Sequence, residues 1–384
     1  MSYRWDSQAF IKGARQKGLS ESTLSACLAA ADAIRQKHHD LPIIFTLNHL
    51  AHLTDVNAEF LQSVAHRQVD AYRVFRVKKR GKPNGVPRPE RRYRTICVPH
   101  PQLMRVQRWI AQNVLQVTPL HHASFAFSKG RDLVASAKKH TSAKWLVKMD
   151  VRHFFESIFE DAVYWVFRSM GYGALLSFQM ARICTRLPDH SRGGPRSLLG
   201  RGGGFPYRRH SKGHLPQGAP TSPMLANRAV EVLDQRLESL AASSGWTYTR
   251  YADDLAFSRT TKSNRAEALR LIKKAERTLV MSGLESHRQK ATIVPPGSRK
   301  VLLGVLVDRD RPKLSKAFRN NIETHLYALT HANIGPERHR QKRGFNSIIG
   351  MRRHIMGLIA FAHQVDERYA LELYTQVNKV NWGE

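Results

Sequence analysis

Acidic residues are scarce in this chain. Asp and Glu total 30 against 62 Lys and Arg, which leaves a formal charge of +32. Such self-repulsion opposes a compact fold unless a polyanion relieves it, and phosphate binding grows with the number of cations offered. Nucleic acid is therefore the expected partner. Cysteine is scarce too. Cys27, Cys97 and Cys184 lie far apart with no CxxC pair, which argues against zinc and a disulfide framework. Each reads as a small core residue in a reducing cytosol. No apolar run approaches a spanning helix, and the N-terminal Met1-Ser-Tyr-Arg-Trp-Asp has no signal-peptide core. A cytoplasmic protein without membrane contact is expected. Apolar residues make up 42% of the 384, enough to bury a core shared by two or three subdomains.

Periodicity organises the rest. Ser20-Glu-Ser-Thr precedes Leu24, Cys27, Leu28 and Ala31 at helical spacing, and further helices are expected at Leu47 to Leu53 and Asn57 to Val69. From Tyr72, apolar Val74, Phe75 and Val77 mix with basic residues. Gly81-Lys-Pro-Asn-Gly-Val-Pro supplies turn chemistry, and Arg94-Thr-Ile-Cys-Val resumes as strand, so a basic β-hairpin is expected. A helix from Pro101 places Leu103, Val106, Ile110, Val114 and Leu115 on one face. Leu146-Val-Lys-Met reads as a strand ending at Asp150. Residues 189–213 form a Gly/Arg-rich loop with Arg192, Arg196, Arg201, Arg208, Arg209 and Lys212. A turn and helix from Leu215 to about Leu240, a hairpin around Ala252-Asp-Asp and a helix from Arg265 to Met281 follow. Strands at Ala291 to Val294 and Val301 to Val307 then lead to a basic helical tail from Leu314.

The few acids fall in telling places. In Tyr251-Ala-Asp-Asp-Leu-Ala-Phe-Ser, strand-forming residues flank Asp253 and Asp254, which puts both at a hairpin tip. Adjacent strand residues face opposite ways, so Asp253 is expected to face the site and Asp254 to stand beside or behind it. Asp150 follows an apolar strand and supplies a third carboxylate. Aspartates converging from neighbouring strands offer hard oxygen ligands for two Mg²⁺ ions, the arrangement that supports phosphoryl transfer. A lone Asp-Asp in a loop is ordinarily just a polar turn. In a strongly basic chain with few acids, the strand context favours the metal site. Leu215-Pro-Gln-Gly-Ala-Pro-Thr-Ser-Pro sets a sharp turn, with Thr221 or Ser222 as helix cap, Pro223 in the first position and Gln217 buried toward a ligand.

In this order the pieces resemble the reverse transcriptases. Asp150 matches the motif A aspartate, Leu215 to Pro223 the motif B signature and Tyr251 to Asp254 the YxDD box. Tyr72-x-x-Phe-x-Val-Lys-Lys, Val106-Gln-Arg, Arg250-Tyr-Ala-Asp-Asp and Ser136-Ala-Lys-Lys-His140, similar to an NAxxH box, resemble the bacterial retron type. Ser136 stands in place of asparagine, Phe125-Ala-Phe in place of glycine-phenylalanine, and Leu302-Leu-Gly304 in place of VTG. The resemblance implies an α+β right-hand polymerase with a ferredoxin-like palm, fingers and a helical thumb. The expected divisions are a helical region at 1–70, fingers at 71–145, a palm at 146–300 carrying the 189–213 insertion, and a thumb at 301–384.

It also implies roles. Asp150, Asp253 and Asp254 hold the metals, and Lys290 protonates the pyrophosphate leaving group. Lys78 and Arg94 grip the incoming deoxynucleoside triphosphate, Phe155 excludes the ribose 2′-OH, and Gln217 positions template or nucleotide. Lys138, Lys139 and His140 are expected RNA contacts, with a structural role for His140 left open. Arg338 to Arg343, Arg352 and Arg353 are expected to grip the phosphates of a structured RNA. The implied activity is reverse transcription of a structured noncoding RNA into RNA-linked single-stranded DNA (msDNA), in an anti-phage system with a defence effector protein as a further partner. Another bacterial reverse transcriptase, of group II intron, diversity-generating or other defence type, and a non-catalytic RNA-binding scaffold are the alternative readings.

Overall fold

The structure, a computed structural model, describes residues 5–78, 93–188, 212–331 and 333–382. The Gly81–Pro87 turn and most of the basic loop, residues 189–211, lie outside the described residues.

Short capped helices open the chain. In α1 (Ser7–Gln16) the Asp6 carboxylate accepts the first free N–H groups, and in α2 (Glu21–Lys37) the Ser20 hydroxyl does so. Thr46 caps α3 (Leu47–Leu53) and Asn57 caps α4 (Ala58–Ala65). The last helix stops short of the expected Val69. Arg67 turns left-handed at φ 64° and sends its guanidinium to the Glu160 carboxylate (2.8 Å) and the Thr185 carbonyl (2.6 Å).

Strands β1 (Tyr72–Lys78) and β2 (Tyr93–Pro99) pair antiparallel from Tyr72↔Pro99 to Lys78↔Tyr93. Helix α5 (Pro101–Ile110) continues through a π-turn at Ala111–Leu115, and the five predicted apolar residues of this stretch are all buried. Then come α6 (Leu133–Lys138), β3 (Trp145–Asp150), α7 (Glu160–Ser169) and α8 (Ala174–Cys184). The helix expected over Leu215 to Leu240 is two, α9 (Ser222–Ala229) and α10 (Glu231–Ala242), because Val230 leaves helical geometry at ψ 16°. Hairpin β4 (Thr247–Tyr251) and β5 (Asp254–Arg259) leads to α11 (Arg265–Met281) and β6 (Thr292–Val294).

The strand expected over Val301 to Val307 folds back on itself. Leu303 (φ 50°) and Gly304 (φ 88°) turn the chain between β7 (Val301–Leu302) and β8 (Val305–Leu306), with β9 (Lys313–Leu314) as third strand. The tail is helical: α12 (Lys316–Thr330), α13 (Gly335–Arg343), α14 (Ile348–Val365) and α15 (Glu367–Asn378).

The chain divides into two compact units, one of residues 1–130, 150–237 and 275–287, the other of 131–149, 238–274 and 288–384. In the first, α8 packs against α3, α4, α5 and α7. Cys97 and Cys184 are buried as expected, whereas Cys27 is only half-buried. The buried Gln107 amide donates both to the Tyr72 hydroxyl (2.7 Å) and to the Ile183 carbonyl (2.7 Å). One side chain thereby ties the basic ribbon to α8, and burial pushes the Tyr72 phenol far above its ordinary pKa.

A four-stranded sheet in the order β4-β5-β3-β6 draws its strands from the second unit, except for Asp150, the last residue of β3, which falls in the first. Ala137, Leu146, Ala256, Leu302, Val305 and Val307 pack as one cluster. A separate helical core includes Ile322, Leu326, Met351, Ile355 and Leu373. Beside that core His325 Nδ1 lies 2.8 Å from His339 Nε2, both rings buried. Among the described residues no helix is long and apolar enough to cross a membrane.

Burial lowers the His325 pKa from 6.5 to about 4, and nearby His339 and Arg343 add to the effect. Between those values the unfolded chain binds more protons than the folded one, so stability rises with pH across that window. Urea midpoints measured from pH 7 to pH 4 are expected to fall below about pH 6.5, with a shallower fall in His325→Phe.

Candidate active site

The backbone register fixes where Asp253 and Asp254 stand on the β4–β5 hairpin. Strands β4 and β5 pair antiparallel from Thr247↔Ser258 to Tyr251↔Asp254, so only Ala252 and Asp253 form the turn. Ala252 takes φ 55°, and its carbonyl accepts a hydrogen bond from the fully buried Arg250 guanidinium (3.2 Å). In the sequence Arg250 reads as a strand residue and part of a family signature, with no functional role of its own. A guanidinium with no exposure beside the turn is the signal that could have singled it out, because buried charge is costly unless satisfied.

Strand β3 lies next to β5. The Lys144 N–H donates to the Arg259 carbonyl (2.9 Å), so the start of β3 meets the end of β5 and the two run antiparallel. Asp150 is the last residue of β3, Asp253 lies in the turn after β4, and Asp254 is the first residue of β5. Beyond β3 the chain stays fixed, because the His287 N–H donates to the Asp150 carbonyl (2.7 Å) and Val151 bridges Ser286. Asp150 and Asp253 are half-buried and Asp254 is exposed. On the far side of β3, β6 pairs up to Lys148↔Thr292. The exposed Lys290 lies in the 3-10 turn Arg288–Lys290, two residues before Thr292.

The first unit contains the motif B turn. The Cys97 N–H donates to the Gln217 carbonyl (2.8 Å), which docks the turn on β2. Gly218 sits at φ 116°, where a Cβ would lie 2.9 Å from the Cys97 carbonyl oxygen and 3.1 Å from Ile96 Cγ2. Only glycine allows so close an approach. Gln217 is half-buried rather than buried, because it is the backbone, not the side chain, that the β2 contact covers. Thr221 is the N-cap residue of α9 but makes no side-chain capping hydrogen bond, and the Ser222 hydroxyl donates to the Pro216 carbonyl (2.7 Å) inside the turn itself.

Cross-strand pairs share a face, so Arg94 stands with Val77 on the face of Ile96, the residue that meets Gly218. Lys78 pairs with Tyr93 and stands on the opposite face. The two cations expected to grip one triphosphate are both exposed but are not on one side of the ribbon.

Of the two neighbouring phenylalanines, Phe154 is buried and Phe155 half-buried, its ring 6.5 Å from that of Phe127. The Phe125-Ala-Phe loop is held by the Asn227 amide donating to the Ala126 carbonyl (2.7 Å).

The expected RNA contacts separate. Lys138 and Lys139 are exposed at the end of α6. His140 is corrected: it has no exposed surface and cannot touch RNA. Its Nδ1 lies 2.7 Å from the Ser258 hydroxyl and its Nε2 2.7 Å from the Thr249 hydroxyl. Burial holds its pKa near 4, so the ring is neutral at physiological pH. Arg352 and Arg353 are exposed on α14, with Arg352 5.6 Å from the Trp382 ring centre. On α13, Arg340 is engaged by Glu337 (2.6 Å), whereas Lys342 and Arg343 are exposed.

Residues 77–307 match the family model described as reverse transcriptase (RNA-dependent DNA polymerase). The chain belongs to this family. Its activity is RNA-directed DNA polymerisation, and its fold is the α+β right-hand polymerase fold. Within the family the similarity is to the bacterial retron type. The chain is 27% identical to the Retron Ec86 reverse transcriptase of Escherichia coli, over 91% of this chain and 93% of that one. It is 29% identical to the Retron Mx162 reverse transcriptase of Myxococcus xanthus, over 73% of this chain and 57% of the relative. With the Retron Mx65 reverse transcriptase of the same organism, identity is 28% over 89% and 73%.

Backbone strain of about 1–3 kcal/mol at one position corresponds to roughly 5- to 150-fold in a rate. Gly218→Ala is therefore expected to lower kcat/KM for nucleotide by about tenfold or more. Steady-state kinetics checks this, with a cooperative thermal transition, lowered by no more than a few degrees, showing that the fold survives.

Proposed function

We propose that this polymerase copies a structured noncoding RNA into DNA that remains linked to that RNA, as msDNA, and that it serves a retron anti-phage defence in the cytoplasm. What supports the catalytic part is that β3, which ends in Asp150, neighbours β5, which begins with Asp254, in one sheet. The names of the similar reverse transcriptases support the retron part.

The donor set at that sheet end is carboxylate oxygen throughout, on half-buried and exposed side chains, and it fits a hard divalent cation such as Mg²⁺. In this reading Asp150 and Asp253 are the principal ligands of two ions, with Asp254 in support. Bound there, Mg²⁺ supplies charge neutralisation at the phosphates and activation of the attacking hydroxyl. The chain's own residues bind and orient. Arg94 offers a fork that matches phosphate bidentately, and Lys78 adds a point charge. Gln217 positions template or nucleotide, and the half-buried Phe155 ring blocks a ribose 2′-OH. Lys290 holds a proton for the leaving pyrophosphate.

Lys138, Lys139, Arg352 and Arg353 contact RNA phosphates, which predicts an affinity that falls steeply with salt. Residues 71–145 serve as fingers, 146–300 as palm and 301–384 as thumb. The partners are the noncoding RNA, its DNA product, deoxynucleoside triphosphates and a defence effector protein.

Asp253→Asn is expected to abolish DNA synthesis while leaving RNA binding within about twofold, because a neutral amide keeps the shape but loses the ligand charge. Persistent synthesis would remove the metal assignment. Nucleic acid extracted from the purified wild-type protein is expected to contain a small RNA-linked DNA, and its absence would count against the retron reading. Phe155→Ala is expected to raise ribonucleotide incorporation by about tenfold or more, as loss of a steric gate removes on the order of 1.4 kcal/mol or more of discrimination. Unchanged selectivity would assign the gate elsewhere.

A further inference from the structure

We infer that His140 is a positioning residue for the polymerase reaction, a buried clamp that fixes the register in which the β4–β5 hairpin presents Asp253 and Asp254. The inference rests on the metal-site reading above.

The ring is fully buried just beyond the end of α6, and each nitrogen meets a hydroxyl on a different strand, Thr249 on β4 and Ser258 on β5. Ser136, also buried, extends the chain of hydroxyls, its Oγ 3.1 Å from Thr249 Oγ1. A neutral imidazole has one donor and one acceptor, and hydroxyls can serve as either. Every group in the chain Ser136–Thr249–His140–Ser258 can therefore be satisfied, in either direction along it. The box from Ser136 to His140, which spans the end of α6, is thus a polar insert between helix and hairpin.

The clamp fits only one register. Thr249 pairs with Ala256 and Ser258 with Thr247, so Thr249 and Ser258 share a face, and that face also carries Tyr251 and Asp254. A slip of one residue would turn every side chain of the moving strand to the other face. Ser258 would then leave His140, and Asp254 would leave its face with it. Asp254 lies four residues along β5 from Ser258, about 13 Å at the rise of a strand. At that distance His140 cannot act on the carboxylates directly. It acts through the strand, as buried polar groups do when an unsatisfied alternative is costly.

The test uses the full-length protein on poly(rA) primed with oligo(dT), with dTTP as nucleotide and Mg²⁺ titrated. His140→Ala is expected to lower kcat about tenfold or more and to raise the half-saturating Mg²⁺ severalfold. KM for dTTP and template affinity should stay within about twofold, since neither ligand reaches the ring. His140→Gln, which keeps a donor and an acceptor near the Nε2 position, should recover part of the loss. Thr249→Val and Ser258→Ala should shift kcat and Mg²⁺ demand in the same direction by smaller factors. An unchanged kcat and Mg²⁺ demand in His140→Ala would overturn the inference, and so would lost template affinity with kcat retained. Should His140→Ala fail to fold, the two hydroxyl variants decide, and unaltered Mg²⁺ demand in both overturns it. An active Asp253→Asn defeats the metal reading itself. A dead Asp253→Asn beside indifferent His140 variants defeats this inference alone.

Discussion

The antiparallel pairing of β3 with β5 is the constraint on which the rest depends. Both strands are short, and each carries its acidic residue at one end, Asp150 last on β3 and Asp254 first on β5. Antiparallel neighbours bring a last residue beside a first one, and the proposed metal site is built on that rule. Parallel pairing would have sent them to opposite ends of the sheet. Like charges brought together repel, and the arrangement makes physical sense when a cation offsets that repulsion. The surrounding framework resists relaxation of the hairpin, through the Arg250 hydrogen bond at its turn and the His140 clamp further back.

The first unit shows a second constraint of the same kind. Its basic ribbon and its Pro/Gly turn meet backbone to backbone, through the Cys97–Gln217 hydrogen bond and the close approach at Gly218. Gln107 fixes the ribbon's other end by holding Tyr72. The ribbon is anchored at its base and carries exposed cations toward its tip, an arrangement suited to gripping a polyanion. Because period-two alternation separates Lys78 from Arg94, the face that meets the turn presents the arginine.

Much of this was legible in the sequence because the signals were local. The helix start after Ser20, the helix Leu47–Leu53, the apolar face from Leu103 to Leu115 and the strand into Asp150 all follow from propensity and periodicity. The breaks were less legible. The helix interruption at Val230 carries no proline or glycine, and the reversal at Leu303-Gly304 hides inside an apolar run that reads as strand. His140 illustrates the deeper limit. Beside Lys138 and Lys139 it looks like part of a basic surface patch, and only the tertiary fold reveals that it points inward while they point out. Arg250 is the same lesson in reverse, a cation in a basic protein that spends its charge on a backbone carbonyl rather than on phosphate.

The central claim is that the sheet end formed by Asp150, Asp253 and Asp254 holds divalent metal for nucleotidyl transfer. Its most direct test is binding of Mn²⁺, as a paramagnetic substitute for Mg²⁺, to the protein with a primed RNA template and a non-hydrolysable deoxynucleotide, read by water-proton relaxation. The account predicts saturable binding by the natural protein that is lost or weakened by at least about tenfold in Asp150→Asn, the ligand contributed by the other strand. Equal Mn²⁺ binding by the two proteins would contradict it.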